Sequence, residues 1–190
     1  MDPVDVRRFS REEYGRMARA GILRPDERVE LIDGEIVRES PQSGPHARGI
    51  RAVEETLRRV FTEGYDIRVQ LPLALDLLSE PEPDISVIPG SWRDYREDHP
   101  SSAVLVVEVA ATATEYDRVR KGSLYARAQI PEYWVLDLEG RRLEIYCDPT
   151  PSQSASYGWA YRSVRSFGAG ERICPATLAD TWIAVDDLLA

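Results

Sequence analysis

The run AVLVVEVA at residues 103–110 constrains the fold more than any other segment of this chain. It is nearly continuous in apolar, mostly β-branched residues, which is typical of a strand that is covered on both faces. We therefore predict a mixed α/β domain in which helices flank a central β-sheet. Glu108 interrupts the run, and a carboxylate inside a buried strand needs a compensating partner.

Local patterns predict the elements around this strand. Ser10 and Glu13 have the spacing of a capping box and indicate a leading helix. Residues 28–38 form a hairpin candidate that turns at Asp33-Gly34, and a helix over 45–63 ends at Gly64. Further strands are expected at 66–77 (broken at Pro72), 84–88, 132–138, 141–147 and 157–166, and further helices at 114–129 and 185–189. We expect one domain over 1–190, with a core at 45–140, an N-terminal helix and hairpin at 10–38, and C-terminal strands at 141–190.

Composition limits the class of protein. The chain is 43% hydrophobic and 30% charged, as in ordinary globular proteins. A net charge of −9 argues against a general nucleic-acid coat protein, which needs a basic surface. No apolar run approaches the roughly 20 residues of a membrane span, and no apolar stretch follows the N-terminal charges. We expect no membrane association and a cytoplasmic location.

Asp84, Glu108 and Lys121 are the candidate site. Asp84 opens a strand directly after Pro83, and Lys121 lies on the helix that follows the Glu108 strand. Two carboxylates on neighbouring strands offer the hard oxygen ligands that Mg²⁺ prefers, with waters and a phosphate completing its shell. A lysine beside them can orient or deprotonate an attacking water and offset charge on the phosphate.

Each residue also has a purely structural interpretation. Glu108 could point to solvent at a strand end, and Asp84 could be a turn-entry aspartate. Lys121 and Asp117 are four apart and share a helix face that Tyr125 continues, as in a surface ion pair. However, of the 24 lysine and arginine residues only Lys121 is a lysine. Arginine would serve a surface pair equally well but cannot deprotonate, which favours a chemical role for this position.

The chain resembles a known family at several motifs in order: VELIDGEIV, SEPEPDISVI, VVEVA, EYDRVRKGSLYARAQIPEYWVLDL and RLEIYCDP. They are similar to those of the Uma-two family of restriction endonucleases in the PD-(D/E)XK nuclease superfamily. The resemblance covers about residues 10–150 and implies a restriction-endonuclease-like fold with added β-hairpins. It equates Pro83-Asp84 with the PD motif and Glu108 with the second acid. The usual lysine position is Ala110 here, so the resemblance implies that Lys121 on the next helix replaces it.

Two further residues lie in motif-like segments of this resemblance. Glu30 is placed either to complete a metal shell through water or as an exposed hairpin carboxylate. His46, at the start of the second helix, is placed to contact phosphate or transfer a proton, or has only a local role.

The leading hypothesis is an endonuclease that hydrolyses DNA, using Mg²⁺ or Mn²⁺ held by Asp84 and Glu108. The alternatives are a nucleic-acid-binding module without turnover and an oligomeric assembly module. A homodimer is compatible with all three.

Overall fold

The computed structural model describes residues 6–24, 26–39 and 41–189. The prediction that no secretory signal is present falls partly on residues 1–5, which lie outside the described residues. In chain order the elements are α1 Arg11–Arg19, β1 Val29–Ile32, β2 Glu35–Arg38, α2 Gly44–Val60, β3 Tyr65–Val69, β4 Ile85–Pro89, β5 Leu105–Ala110, α3 Gly122–Arg127, β6 Glu132–Asp137, β7 Arg142–Pro151, β8 Trp159–Gly168, β9 Arg172–Ile173 and β10 Ile183–Ala184. Short 3₁₀-helices span Trp92–Asp94 and Val185–Asp187, and a π-helix spans Tyr116–Lys121. None of the helices in the described part of the chain combines the length and apolar character needed to cross a membrane.

A mixed six-stranded sheet forms the centre of the fold. Its strand order is β3-β4-β5-β6-β7-β8. The β5–β6 pair is parallel, and the other four pairs are antiparallel. The chain crosses from β5 to β6 through the π-helix and α3. Two antiparallel pairs, β1–β2 and β9–β10, form separate two-stranded sheets beside the six-stranded sheet. These findings confirm the predicted mixed α/β class with a helix-flanked sheet and added hairpins.

β5 is covered on both faces, as the apolar run predicts. Val107 belongs to the core cluster that contains Leu57 of α2. Val106 belongs to the second cluster, which contains Tyr125 of α3. Because side chains alternate along a strand, Glu108 shares the face of Val106 and is directed toward the α3 side.

The first hairpin forms where predicted, and the second helix ends earlier than predicted. Asp33 and Gly34 adopt φ values of 49° and 81°, which suits the tight turn between β1 and β2. α2 ends at Val60, and Phe61 caps it with ψ at 89°. The prediction that Gly64 ends this helix is wrong. The buried Phe61 ring packs edge-on against Tyr65, and the chain turns toward β3 through Gly64 at φ 83°.

Three other elements differ from their predicted forms. The segment predicted as one helix over 114–129 starts as a π-helix, in which the Gly122 amide donates to the Asp117 carbonyl. The strand predicted over 66–77 stops at Val69, because Gln70 turns the chain at φ 49°. The predicted C-terminal helix is the 3₁₀-helix Val185–Asp187.

α2 approaches β5 closely at Gly49. A Cβ atom on Gly49 would lie 2.9 Å from Cγ1 of Val109 and 3.1 Å from Cδ2 of Leu138. Only glycine therefore fits here without displacement. This contact fixes the N-terminal part of α2, including His46, over the end of β5 that carries Glu108.

Candidate active site

Asp84 lies where β4 and β5 separate. Ile85 pairs with Val107, so continuing the antiparallel register by one residue places Asp84 across from Glu108. The Val109 amide donates to Oδ2 of Asp84 at 2.9 Å, so the carboxylate takes the place of a ladder carbonyl. Like charges directly across a strand pair are unfavourable. A positive charge near Asp84 and Glu108 is therefore needed to offset the repulsion between their carboxylates.

Lys121 places a positively charged ammonium beside Glu108. Its Nζ donates to Oε1 of Glu108 at 2.9 Å and lies 3.4 Å from Oε1 of Glu30. The Tyr125 hydroxyl donates to the same Glu108 oxygen at 2.7 Å. Glu108 and Lys121 are only 5% and 7% exposed. The surface ion pair between Asp117 and Lys121 is therefore the wrong alternative, and so is a solvent-facing Glu108.

Glu30, on β1 of the first hairpin, also contacts Lys121. It is 1% exposed, which contradicts the alternative of an exposed hairpin carboxylate. Its Oε2 accepts from the Glu82 amide at 3.2 Å, while its Oε1 faces Lys121. Glu30 thus connects β1 to the chain just before Asp84 and provides a second negative partner for the lysine.

His46 and Gln70 hold Asp84 from the other side. Nε2 of His46 is 3.0 Å from Oδ2 of Asp84. The side-chain amide of Gln70 donates to Oδ1 of Asp84 at 3.1 Å. Asp84 therefore has three hydrogen-bond partners, from α2, from the turn after β3 and from β5. Its orientation is fixed by three separate elements.

The site forms the wall of an open cleft of about 610 Å³. The predicted site residues all line it: Glu30, His46, Asp84, Glu108 and Lys121. The β1–β2 hairpin adds Arg28 and Arg38, and the π-helix adds Tyr116. The cleft therefore brings together basic and acidic groups from the hairpin, α2, the start of β4, β5 and the π-helix.

The ionisation of the buried groups follows from burial and mutual attraction. Burial raises the pKa of Glu108 to about 8, and the Lys121 ammonium opposes that rise. Burial alone would lower the pKa of Lys121, but attraction by Glu108 and Glu30 raises it well above its usual value. The hydrogen bond to Asp84 raises the pKa of His46. Lys121 is thus a fixed cation at neutral pH, whereas the charge of Glu108 depends on nearby positive charge.

The donor set fits a magnesium-type cation bound by few protein ligands. Lys121 and Tyr125 both donate to Oε1 of Glu108. None of the described residues donates to Oε2, so Oε2 is open to a ligand. Within the described ranges, no three His, Cys, Asp or Glu side chains are arranged to hold a metal ion. Mg²⁺ commonly binds through one or two carboxylates and keeps several waters. Asp84 and Glu108 match that pattern.

Two contributors to the site were not predicted for their role. Tyr125 was expected only to continue the helix face of Lys121, yet its hydroxyl bonds to Glu108. The signal was its position four residues after Lys121 on the same helix face. Gln70 carries no local signal, because its contact with Asp84 depends on the turn that follows β3.

The fold matches that of a protein with a solved structure. The crystal structure of "a putative nuclease belonging to DUF820" from Anabaena variabilis ATCC 29413 matches with a TM-score of 0.71. The match covers 95% of this chain and 97% of that chain, at 15% sequence identity. At this identity the likeness shows the fold alone. It confirms the predicted nuclease fold.

Sequence comparison gives the family. The profile of Uma2, described as "Putative restriction endonuclease", matches residues 11–186. The chain therefore belongs to the Uma2 family, as its motifs predicted. None of the curated proteins matches the chain.

Proposed function

We propose that this protein is a divalent-cation-dependent endonuclease that hydrolyses phosphodiester bonds in DNA. One observation carries the proposal: Asp84, Glu108 and the chain's only lysine converge in a single cleft, with Lys121 bonded to Glu108 at 2.9 Å. Membership of a family described as restriction endonucleases supports a nucleic-acid substrate.

Asp84 and Glu108 would hold Mg²⁺ or Mn²⁺ at the end of β5. Bound there, the ion would supply Lewis acidity to the phosphate and lower the pKa of a coordinated water. Glu108 would offer Oε2, since Lys121 and Tyr125 occupy Oε1. His46 and Gln70 keep the Asp84 carboxylate in one orientation. Each of the two carboxylates is thus held by hydrogen bonds before an ion binds.

Lys121 would act as a charged hydrogen-bond donor. Its raised pKa keeps it protonated at neutral pH, so it orients water and offsets charge on the phosphate instead of removing a proton. An ammonium has three N–H donors, and the hydrogen bond to Glu108 engages one of them, while Glu30 lies 3.4 Å away as an ion-pair partner. A remaining N–H would donate to a water or to a phosphate oxygen in the cleft.

The test is cleavage of supercoiled plasmid and single-stranded DNA with Mg²⁺, with Mn²⁺ and with EDTA. We expect metal-dependent cleavage that Asp84→Asn and Glu108→Gln each reduce by about 100-fold or more, as for groups that act on the transition state. Asp137→Asn is the matched control. Asp137 is also a buried aspartate at a strand end, but it accepts from Gly140 and does not line the cleft.

The outcomes separate the enzyme from its alternatives. Cleavage that survives both site substitutions in folded protein would refute this site. Salt-dependent DNA binding without metal-stimulated cleavage would indicate the non-catalytic module. The homodimer and the cytoplasmic location stay predictions, which sedimentation analysis and cell fractionation would test.

A further inference from the structure

The Tyr116 hydroxyl is a buried polar group whose hydrogen bond is missing. Its oxygen is buried and forms no hydrogen bond with any described residue. Buried hydroxyls are normally paired, because an unpaired one has lost its water without compensation. An exception in a cleft lined by candidate catalytic groups suggests a partner that arrives with the ligand.

The position of Tyr116 supports this interpretation. It begins the π-helix that ends in Lys121, and both residues line the same cleft as Glu30 and Glu108. Single π-helical turns are uncommon and occur frequently at functional sites. The Arg120 guanidinium lies 5.6 Å from the centre of the Tyr116 ring and helps to hold it. Tyr116 and Lys121 therefore reach the same cleft from one short helix.

The electrostatic surroundings make the hydroxyl a donor. Burial and the nearby Glu30 carboxylate raise the pKa of Tyr116 above its usual value, so it keeps its proton at neutral pH. A phosphodiester group brings acceptor oxygens and no donors. The chemistry of the hydroxyl and that of a phosphate are therefore complementary.

We propose that the Tyr116 hydroxyl donates a hydrogen bond to a non-bridging oxygen of the phosphate that is hydrolysed. This assignment rests on the proposed nuclease function and adds a substrate contact to it. Tyr116 and Lys121 would both contact the phosphate from the same π-helix. Because its hydrogen bond forms only with bound substrate, removing the hydroxyl should not weaken the free protein.

The test compares Tyr116→Phe with the wild type and with Tyr95→Phe. The Tyr95 hydroxyl donates to the Pro89 carbonyl outside the cleft, so its loss removes a tyrosine hydroxyl without touching the site. We expect Tyr116→Phe to lower kcat on plasmid DNA by about tenfold or more. Its Tm should equal or exceed that of the wild type, because an unpaired buried hydroxyl has been removed. Tyr95→Phe should cleave at the wild-type rate.

Each result bears on a separate claim. If the wild type cleaves DNA and the kcat of Tyr116→Phe is within twofold of the wild-type value, the Tyr116 assignment is overturned. The proposed function then still stands. A lowered Tm for Tyr116→Phe indicates a structural hydrogen bond and also overturns the assignment. Absence of metal-dependent cleavage by the wild type overturns the proposed function and this contact with it.

Discussion

Replacing Lys121 by methionine tests whether the buried lysine compensates the charge of Glu108. Methionine keeps the unbranched stem of the side chain but removes the ammonium that bonds to Glu108 and faces Glu30. Removing one partner of a buried ion pair typically costs about 3–5 kcal/mol, because the other charge is left without compensation. Protonation of Glu108 limits that cost at low pH. The destabilisation should therefore grow with pH.

The pH window follows from the Glu108 pKa. In the wild type the folded-state pKa of Glu108, about 8, lies above the ordinary glutamate value of 4.5. The contribution of Glu108 to the free energy of unfolding is therefore fully present below pH 4.5 and is lost as the pH rises toward 8. Above 8 the loss levels off. Without the ammonium, the folded-state pKa of Glu108 rises further, so Lys121→Met should keep losing about 1.4 kcal/mol per pH unit above pH 8.

The assay is urea unfolding of the wild type, Lys121→Met and Lys121→Met/Glu108→Gln at pH 6, 8 and 9.5. The double variant contains no buried Glu108 carboxylate and should recover most of the stability that Lys121→Met loses at pH 9.5. Two results would refute the reasoning. One is a loss below about 1 kcal/mol for Lys121→Met at pH 9.5, where breaking a buried pair should cost several times more. The other is a double variant that is no more stable than the single one.

Further substitutions test other contacts of the site. Tyr125→Phe removes a buried donor to Glu108 and should lower the free energy of unfolding by about 1–3 kcal/mol in urea titrations; no change would show that the bond is not stabilising. His46→Gln should abolish a pH-dependent part of the stability. The raised His46 pKa makes that part fully present below pH 6.5 and lost as pH rises through the folded-state pKa, which unfolding titrations from pH 5 to 8 would detect. Gly49→Val should cost about 1–3 kcal/mol by forcing α2 away from Val109, whereas an unchanged Tm would mean that the helix adapts freely.

The sequence pattern predicted the buried strand and its carboxylate because both signals are local. A continuous β-branched run indicates burial on both faces, and Glu108 inside it then requires a partner. Lys121 could be singled out because the rest of the chain uses arginine. These arguments need only neighbouring residues or the composition of the whole chain.

Other parts of the site depend on contacts that local patterns do not encode. The Glu82 amide reaches Glu30 across 52 residues of chain, and the Gln70 amide reaches Asp84 through a positive-φ turn. The π-helix differs from an α-helix by one residue in its hydrogen bonds, a change that no single residue type announces. Tertiary packing decides all three.

The buried position of the only lysine has a practical consequence for chemical labelling. Amine-acylating reagents need an accessible, deprotonated amine. Lys121 is 7% exposed, and its partners hold its pKa well above the usual value. Because Lys121 is the only lysine, no side chain of the folded protein offers a reactive amino group. Acylation of Lys121 is slow because its pKa is raised, so it would follow the fraction of molecules in which this buried group is exposed. One mass-spectrometric peak would therefore measure the free energy of that local opening.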